Sequence, residues 1–159
     1  MTLLSVSTNN PLIDGRQSDR AMMVRRGVQV LLAEMRFAVL PELTLSNGRR
    51  ADLIALSEKG EIWIIEIKSS IEDFRVDRKW PDYRRYCDRL FFATHPGVPI
   101  EIFPEDCGLL LSDGYAGHLH RQAPEHRLAP ATRKSVTLEF SRTAAQRLMY
   151  AEWAARPSP

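Results

Sequence analysis

Hydrophobic residues occur along this chain in short runs separated by turn-forming residues, a pattern that predicts an α/β protein. Five of the seven residues in the run 62–68 are apolar, and the run is rich in β-branched and aromatic side chains. This composition is typical of a strand that is covered on both faces. A second apolar run at 53–56 precedes it, and the segment between them, which contains Gly60, favours a tight turn. We therefore predict a buried β-hairpin over residues 53–68.

Three further segments predict strands. The segment 41–45 alternates apolar and polar residues, and the Asn47-Gly48 pair after it is a strong hairpin signal. The segments 90–94 and 108–112 are apolar and end at turn residues. Together with the hairpin they give a sheet of about five strands, the first three of which are joined by short turns. This order favours an α/β sandwich over a doubly wound parallel sheet, because parallel neighbours need long crossovers.

Helices are predicted before, between and after the strands. Residues 18–39 are mostly apolar and Ser18 or Asp19 can cap their start, while residues 131–153 have an apolar, alanine-rich pattern. Apolar residues at spacings of three and four predict a helical stripe, with the helix proper starting at Pro81. This stripe consists of Val76, Trp80, Tyr83, Cys87 and Leu90. Residues 1–15 lack periodicity, so we expect a flexible arm followed by one domain over residues 16–159.

Three charged residues lie in or beside the predicted hairpin: Asp52, Glu66 and Lys68. Side chains alternate along a strand, so Glu66 and Lys68 point to the same side. Asp52 lies at the start of the first of the two strands of this hairpin, and the turn is expected to bring it beside Glu66 and Lys68. The alternative is that Glu66 and Lys68 pair only with each other or with surface groups. We favour a functional site, because charges in a buried strand are costly and often mark one.

The residue types at this site favour metal-assisted hydrolysis of a phosphodiester. Asp52 and Glu66 offer hard oxygen ligands, which suit Mg²⁺ or Mn²⁺ and do not select zinc. The backbone carbonyl of Ile67 is a further candidate ligand. Such an ion lowers the pKa of water and screens the phosphate. Lys68 is expected to orient that water or to stabilise negative charge in the transition state.

Asp52 together with Glu66-Ile67-Lys68 resembles the PD-(D/E)XK nuclease motif, which marks the restriction-endonuclease-like fold. The proline that usually precedes the aspartate is Ala51 here, at a position that varies widely in the superfamily. The resemblance implies a sandwich whose central mixed sheet is flanked by helices. It also implies that the acid of the second strand and the acid of the third strand bind the metal ion.

Many members of this superfamily add another acid to the site. Glu34, on the predicted first helix, and Glu42, before the first strand, are the candidates for that acid in this chain. An exposed structural position is an equally good interpretation of each.

A longer resemblance, covering nearly the whole chain after about residue 17, is to the MmcB-like DNA repair proteins. It is carried by residues 66–70, 73–75, 77–83 and 86–88 and by the segment APEHRLAP at 123–130. It implies a role in DNA damage repair. No base-reading motif is found, so we expect recognition of DNA structure or damage and not of a fixed sequence. The predicted function is a Mg²⁺- or Mn²⁺-dependent deoxyribonuclease; the alternative is a catalytically weak or inactive DNA-binding repair factor on the same fold.

Basic residues that follow the motif are candidates for DNA contact. They are Arg75, Arg78, Lys79, Arg85 and Arg89, and Ser69 is a candidate phosphate contact beside them. The arginine fork suits phosphate oxygens, although a solvated helix face is the alternative. The net charge of +2 is too small to indicate nucleic acid by itself.

Composition limits the class of protein. A chain of 159 residues with 44% hydrophobic content is expected to form one domain with a sizeable core. No run approaches the roughly 18–20 apolar residues of a membrane span, and the first residues lack a signal-peptide pattern. Two cysteines without metal-ligand spacing favour a reduced compartment. We expect a cytoplasmic protein that binds no membrane; the sequence leaves protein partners and oligomeric state open.

Overall fold

The computed structural model describes residues 18–157 as a β-sheet with helices against both faces. The strands are β1 (Ala38–Thr44), β2 (Arg50–Leu56), β3 (Ile62–Ile67), β4 (Arg89–Thr94), β5 (Gly108–Ser112) and β6 (Gly117–Arg121). The α-helices are α1 (Asp19–Glu34), α2 (Ile71–Val76) and α3 (Pro130–Ala155), and short 3-10 helices span Trp80–Tyr86 and Ile100–Ile102. The predicted flexible arm at 1–15 lies outside the described residues.

The strands lie in the sheet in the order in which they occur along the chain. β1, β2 and β3 form an antiparallel meander, β3, β4 and β5 run parallel, and β6 returns antiparallel to β5. The predicted α/β sandwich with a mixed sheet is therefore confirmed. The described sheet has six strands and not about five, because residues 117–121 also pair with β5.

Helices cover the two faces of the sheet with different residues. α1 packs on one face through Val24, Val28 and Leu32, which recur at helical spacing and are almost fully buried. On the other face Val136 and Phe140 of α3 join the core, where α3 contacts β1 and the 3-10 helix at Trp80–Tyr86. Burying side chains of this size contributes roughly 1.5–3 kcal/mol each. Within residues 18–157, none of the helices has the length and apolar character that a membrane crossing requires.

The turn predicted between β1 and β2 is present. The amide of Gly48 donates to the carbonyl of Leu45 at 2.9 Å, and the amide of Leu45 donates to the carbonyl of Arg49 at 2.8 Å. Gly48 has a φ of 82°, a left-handed conformation that favours glycine. The Asn47-Gly48 signal therefore predicted the hairpin correctly.

Two helix predictions were wrong in extent. The first helix ends at Glu34 and not at residue 39, because Arg36 has a left-handed φ of 64° and the chain then enters β1. The stripe from Val76 to Leu90 is not one α-helix. It is divided among the end of α2, the 3-10 helix around Pro81 and the start of β4, and Val76 is 78% exposed. Proline disfavours α-helical angles in the preceding residue, which explains why no long helix forms there.

Asp88, directly before β4, is a buried carboxylate that connects three segments. It accepts hydrogen bonds from the amides of Ile62 and Leu128 at 2.8 and 2.9 Å. The two terminal guanidinium nitrogens of Arg133, Nη2 and Nη1, donate to Oδ1 and Oδ2 of Asp88 at 2.6 and 2.7 Å. The carboxylate thus joins the start of β3, the loop before α3 and α3 itself.

Candidate active site

Asp52 and Glu66 meet at the end of the β2–β3 ladder. The last paired residues of that ladder are Leu53 and Ile65, so the two acids come next in the same register. The amide of Ile67 donates to Oδ2 of Asp52 at 2.8 Å, and the amide of Asp52 donates to Oε1 of Glu66 at 3.1 Å. Each carboxyl group is therefore fixed by a backbone amide of the hairpin.

A cavity of about 730 Å³ opens over these two acids. Its walls come from the start of α1, the ends of β2 and β3, α2 and the 3-10 helix at Trp80–Tyr86. The residues that line it are Ser18, Arg20, Ala21, Arg50, Asp52, Glu66, Ile67, Lys68, Ser69, Ser70, Asp73, Val76, Asp77, Lys79 and Tyr83. All three residues of the predicted motif thus line one concave surface, which we call the site cavity.

The two acids are held in a state that favours a shared proton. Burial raises the pKa of Glu66 well above its ordinary value, and the charge of Asp52 raises it further. Burial also raises the pKa of Asp52, by more than the hydrogen bond from the amide of Ile67 lowers it. Because two adjacent negative charges repel each other, we interpret the Asp52–Glu66 pair as carrying one proton when no cation is present.

Replacing Glu66 with glutamine is expected to stabilise the protein at neutral pH by about 1–2 kcal/mol in the presence of a chelator. Glutamine keeps an oxygen that can accept from the amide of Asp52, but it carries no charge. It therefore neither repels Asp52 nor has to take up a proton when the protein folds. Because the folded-state pKa is raised, the parent loses stability as pH rises from the unfolded value of about 4 through the folded value. The advantage of Glu66→Gln should therefore disappear near pH 4. Urea unfolding between pH 4 and 8 measures it.

The control for this experiment is Glu72→Gln, since Glu72 is exposed on α2. That substitution should change the free energy of unfolding by less than about 0.5 kcal/mol at every pH. A Glu66→Gln variant that is destabilised by the same amount across the whole pH range would contradict the shared-proton interpretation.

The chemistry of this pair suits a hard divalent cation. A cation would take the place of that proton and offset the negative charges of the buried Glu66 and the half-buried Asp52. Among residues 18–157 no cluster of three or more Asp, Glu, His or Cys side chains is arranged to hold a metal ion. Asp52 and Glu66 would therefore be supplemented by water, as Mg²⁺ commonly is. Ile67, whose carbonyl is the further candidate ligand, lines the site cavity between Glu66 and Lys68.

Lys68 lies in the site cavity but is engaged by a partner that the sequence did not indicate. Its ammonium contacts Oδ2 of Asp77 at 2.5 Å, and the two side chains are 10% and 15% exposed. Burial would raise the pKa of Asp77, but the hydrogen bonds from Lys68 and from the amide of Lys79 outweigh it and lower that pKa. Asp77 is thus charged at neutral pH and fixes the position of the Lys68 ammonium.

The two candidate extra acids occupy different places. Glu34 is exposed at the last turn of α1, whereas the first turn of α1 lines the site cavity, so the structure does not bring Glu34 there. Glu42 is 5% exposed and has a left-handed φ of 54° in β1. Its neighbours in β1 pair with residues on either side of Asp52, and its charge raises the pKa of Asp52. Glu42 therefore lies close enough to Asp52 to influence the pKa of that carboxyl group.

Arg25 of α1 also belongs to this environment. It is 7% exposed; burial lowers its pKa, and the charges of Glu42 and Asp52 oppose that effect. Sequence analysis did not single out Arg25. The sequence did contain a signal for it. Arg25 lies three residues before Val28 and seven before Leu32, so it falls on the apolar face of α1 that Val24, Val28 and Leu32 form.

The predicted DNA-contacting residues divide into three groups. Lys79 and Ser69 line the site cavity. Arg75, Arg78 and Arg85 are exposed on or after α2. Arg89 starts β4 at the end of the sheet away from Glu66, and its guanidinium binds Oε1 of Glu61 at 2.7 Å and the carbonyl of Ala123. The structure therefore does not bring Arg89 to the site cavity.

Sequence analysis also missed polar residues that shape the wall of the cavity. Asp73 accepts hydrogen bonds from the hydroxyl and the amide of Ser69 at 2.6 and 3.1 Å. Tyr83, which was predicted to lie on an apolar helical stripe, is buried, and its hydroxyl donates to the carbonyl of Arg50 at 2.8 Å. In the sequence, the separation of four residues between Ser69 and Asp73 indicated the first of these contacts, and nothing indicated the contact of Tyr83.

Comparison with known proteins identifies relatives of this chain. A sequence model of the DNA repair protein MmcB-like family matches residues 8–155. Among solved structures, the SPO1766 protein of unknown function from Silicibacter pomeroyi is 38% identical, with a TM-score of 0.82 over 89% of this chain and 97% of its own. A repair endonuclease from Pyrococcus abyssi aligns with 14% identity and a TM-score of 0.36 over 57% of this chain and 42% of its own, a likeness too weak to carry an argument. No curated protein matches the chain.

Proposed function

The chain belongs to the MmcB-like family of DNA repair proteins, and from this premise we propose that it is a metal-dependent nuclease that hydrolyses DNA phosphodiester bonds. One observation carries the proposal: the buried Glu66 and the half-buried Asp52, each bonded to a backbone amide of the hairpin, lie beside a nearly buried lysine in one open cavity. Ionisable groups perturbed by burial and by each other are typical of catalytic sites.

Each residue of the site has a defined part in this reaction. Asp52 and Glu66 would hold the cation, and the backbone carbonyl of Ile67 would be a further ligand. When bound, a divalent ion screens the phosphate charge and lowers the pKa of water. The Lys68 ammonium donates a hydrogen bond to a phosphate oxygen and stabilises the negative charge that develops there. Asp77 is a positioning residue, since it acts through Lys68.

A cleavage assay tests this function directly. The full chain is incubated with end-labelled single-stranded, nicked, flapped and branched DNAs in the presence of Mg²⁺, Mn²⁺ or EDTA. We expect metal-dependent cleavage of at least one substrate, and its loss in Asp52→Asn and Glu66→Gln. Glu72→Gln, which changes an exposed acid of α2, is the matched control and should cleave normally. Cleavage that persists in both site variants would refute the assignment of Asp52 and Glu66.

A DNA-binding repair factor without catalysis is the second candidate function. It is favoured by the close contact between Lys68 and Asp77, whose negative charge offsets that of the ammonium. It is also favoured by the absence, among residues 18–157, of a cluster of three or more Asp, Glu, His or Cys side chains arranged to hold a metal ion. Tight binding of the same DNAs without cleavage under any metal would support this candidate. Mn²⁺ titration by calorimetry then shows whether the acids still bind a cation, because only a functional pair loses affinity on Asp52→Asn.

A further inference from the structure

We infer that a groove between Asp52 and the β1–β2 hairpin binds the phosphate backbone of the DNA strand on one side of the bond to be cut. This inference deepens the proposed function and rests on it. The groove is a second concavity of about 470 Å³, and it is lined by Thr44, Gly48, Arg49, Arg50, Asp52, Lys79 and Tyr83. We call it the hairpin groove.

The hairpin groove continues the site cavity. The two concavities share Asp52, Arg50, Lys79 and Tyr83, so they adjoin at the acid that is proposed to hold the cation. A chain of phosphates crossing Asp52 can therefore follow a continuous concave path to the turn at Gly48. No residue of this turn was among the DNA contacts predicted from the sequence.

The charges along the groove suit phosphate. Its lining has three cations, Arg49, Arg50 and Lys79, and one acid, Asp52. Two further acids lie beside it and already have cationic partners: Asp82 contacts Arg49, and Asp77, which accepts from the amide of Lys79, is paired with Lys68. Arg49 contacts Asp82 at 3.2 Å, but these side chains are 35% and 52% exposed. A solvent-exposed ion pair contributes little, so Arg49 can exchange this carboxylate for a phosphate at small cost. The arginine fork is also well suited to phosphate oxygens.

A hydrogen bond fixes one wall of the hairpin groove, and the groove is open at the turn that contains Gly48. The hydroxyl of Tyr83 donates to the carbonyl of Arg50 at 2.8 Å, and burial raises the pKa of Tyr83, so the donor proton is retained. At the turn, a Cβ placed on Gly48 would meet nothing within 4 Å. A strand can therefore pass the tip of the hairpin without steric obstruction.

The opposite flank of the site cavity has a different character. It is lined by the hydroxyl residues Ser18, Ser69 and Ser70 and by Asp73, with Arg20 as its cation. Phosphates on that side meet mainly neutral donors and one acid. Salt-dependent affinity should therefore come mostly from the hairpin groove.

DNA binding as a function of salt tests the inference without cleavage. The parent is the Asp52→Asn full chain in EDTA, and the probes are a fluorescent single strand and a fluorescent duplex measured by anisotropy. Arg49→Ala/Lys79→Ala is expected to reduce the slope of log affinity against log salt by about 1.4 for the single strand and about 1.8 for the duplex. Asp82→Asn should tighten binding, because it frees Arg49 from its carboxylate partner.

The matched control is Arg36→Ala/Lys59→Ala, which removes the same charge from exposed residues near the β2–β3 turn at the other end of the hairpin. The control should retain the parental slope. Parental binding with an unchanged slope in Arg49→Ala/Lys79→Ala overturns the groove but leaves the proposed nuclease standing. A parent that binds neither probe overturns the groove together with the proposed function.

Discussion

Alanine at position 88 is expected to lower the free energy of unfolding by about 3–5 kcal/mol, measured by urea denaturation near neutral pH. The side chain of Asp88 is 1% exposed and holds the amides of Ile62 and Leu128 together with the guanidinium of Arg133. Removing the carboxylate leaves two buried amides and a partly buried cation without this acceptor. The cost of breaking such a group exceeds that of losing one hydrogen bond.

The effect should also depend on pH. Burial would raise the pKa of Asp88, but the hydrogen bonds from Arg133, Leu128 and Ile62 outweigh it and lower that pKa. A carboxyl group with a lowered folded-state pKa stabilises the protein above its unfolded pKa of about 3.9, and this contribution is lost as pH falls through the folded value. The difference between Asp88→Ala and the parent should therefore shrink in acid.

Asp106→Ala provides the control for Asp88→Ala. Asp106 also contacts an arginine, Arg84, at 2.8 Å, but its side chain is 67% exposed. Such a surface pair is worth roughly 0–1 kcal/mol. Equal losses in Asp88→Ala and Asp106→Ala would show that the buried network around Asp88 does not hold the three segments together.

The hairpin and its acids could be predicted because their signals are local. Alternation along β3 places Glu66 and Lys68 on one side, and the turn after β2 brings Asp52 beside Glu66 in a fixed register. The meander needed only short turns between neighbouring runs. The sixth strand was not counted, because its segment carries exposed residues such as His118 and His120, which weaken the apolar pattern.

The remainder of the site depends on contacts between segments that are distant along the chain. Asp77 meets Lys68 only because α2 ends at Val76 and turns back over the cavity. Arg25 comes to Asp52 through the packing of α1 on the sheet. The position of Arg89 away from the site cavity could not be predicted, because the sequence shows its charge but not its partners Glu61 and Ala123. Spacing alone does not specify such tertiary partners.

The contact between Lys68 and Asp77 determines how the lysine can act. An ammonium held at 2.5 Å from a carboxylate has a fixed position, which is an advantage when charge develops at one place in a transition state. The carboxylate also reduces the net positive charge that the substrate meets before reaction. Lys68 is therefore expected to contribute more to the rate of cleavage than to the affinity for DNA.

Lys68→Met is expected to lower the cleavage rate constant by about 100-fold or more while changing the dissociation constant for DNA by only a few-fold. Methionine keeps most of the length of the side chain but removes the charge. Single-turnover kinetics with saturating protein measure the chemical step, and anisotropy in EDTA measures binding. Circular dichroism verifies that the variant folds, since Asp77 loses its buried partner.

Asp77→Asn separates the charge of the lysine from its placement. The ammonium remains but loses its ionic anchor, so the rate should fall by less than in Lys68→Met. Lys59→Ala, at the far turn of the same hairpin, removes an exposed lysine and should leave both rate and affinity at parental values. A Lys68→Met variant that cleaves at the parental rate would show that Lys68 serves only to pair with Asp77. In that case the transition-state charge must be stabilised by another group of the site cavity, whose wall also carries the cations Arg20, Arg50 and Lys79.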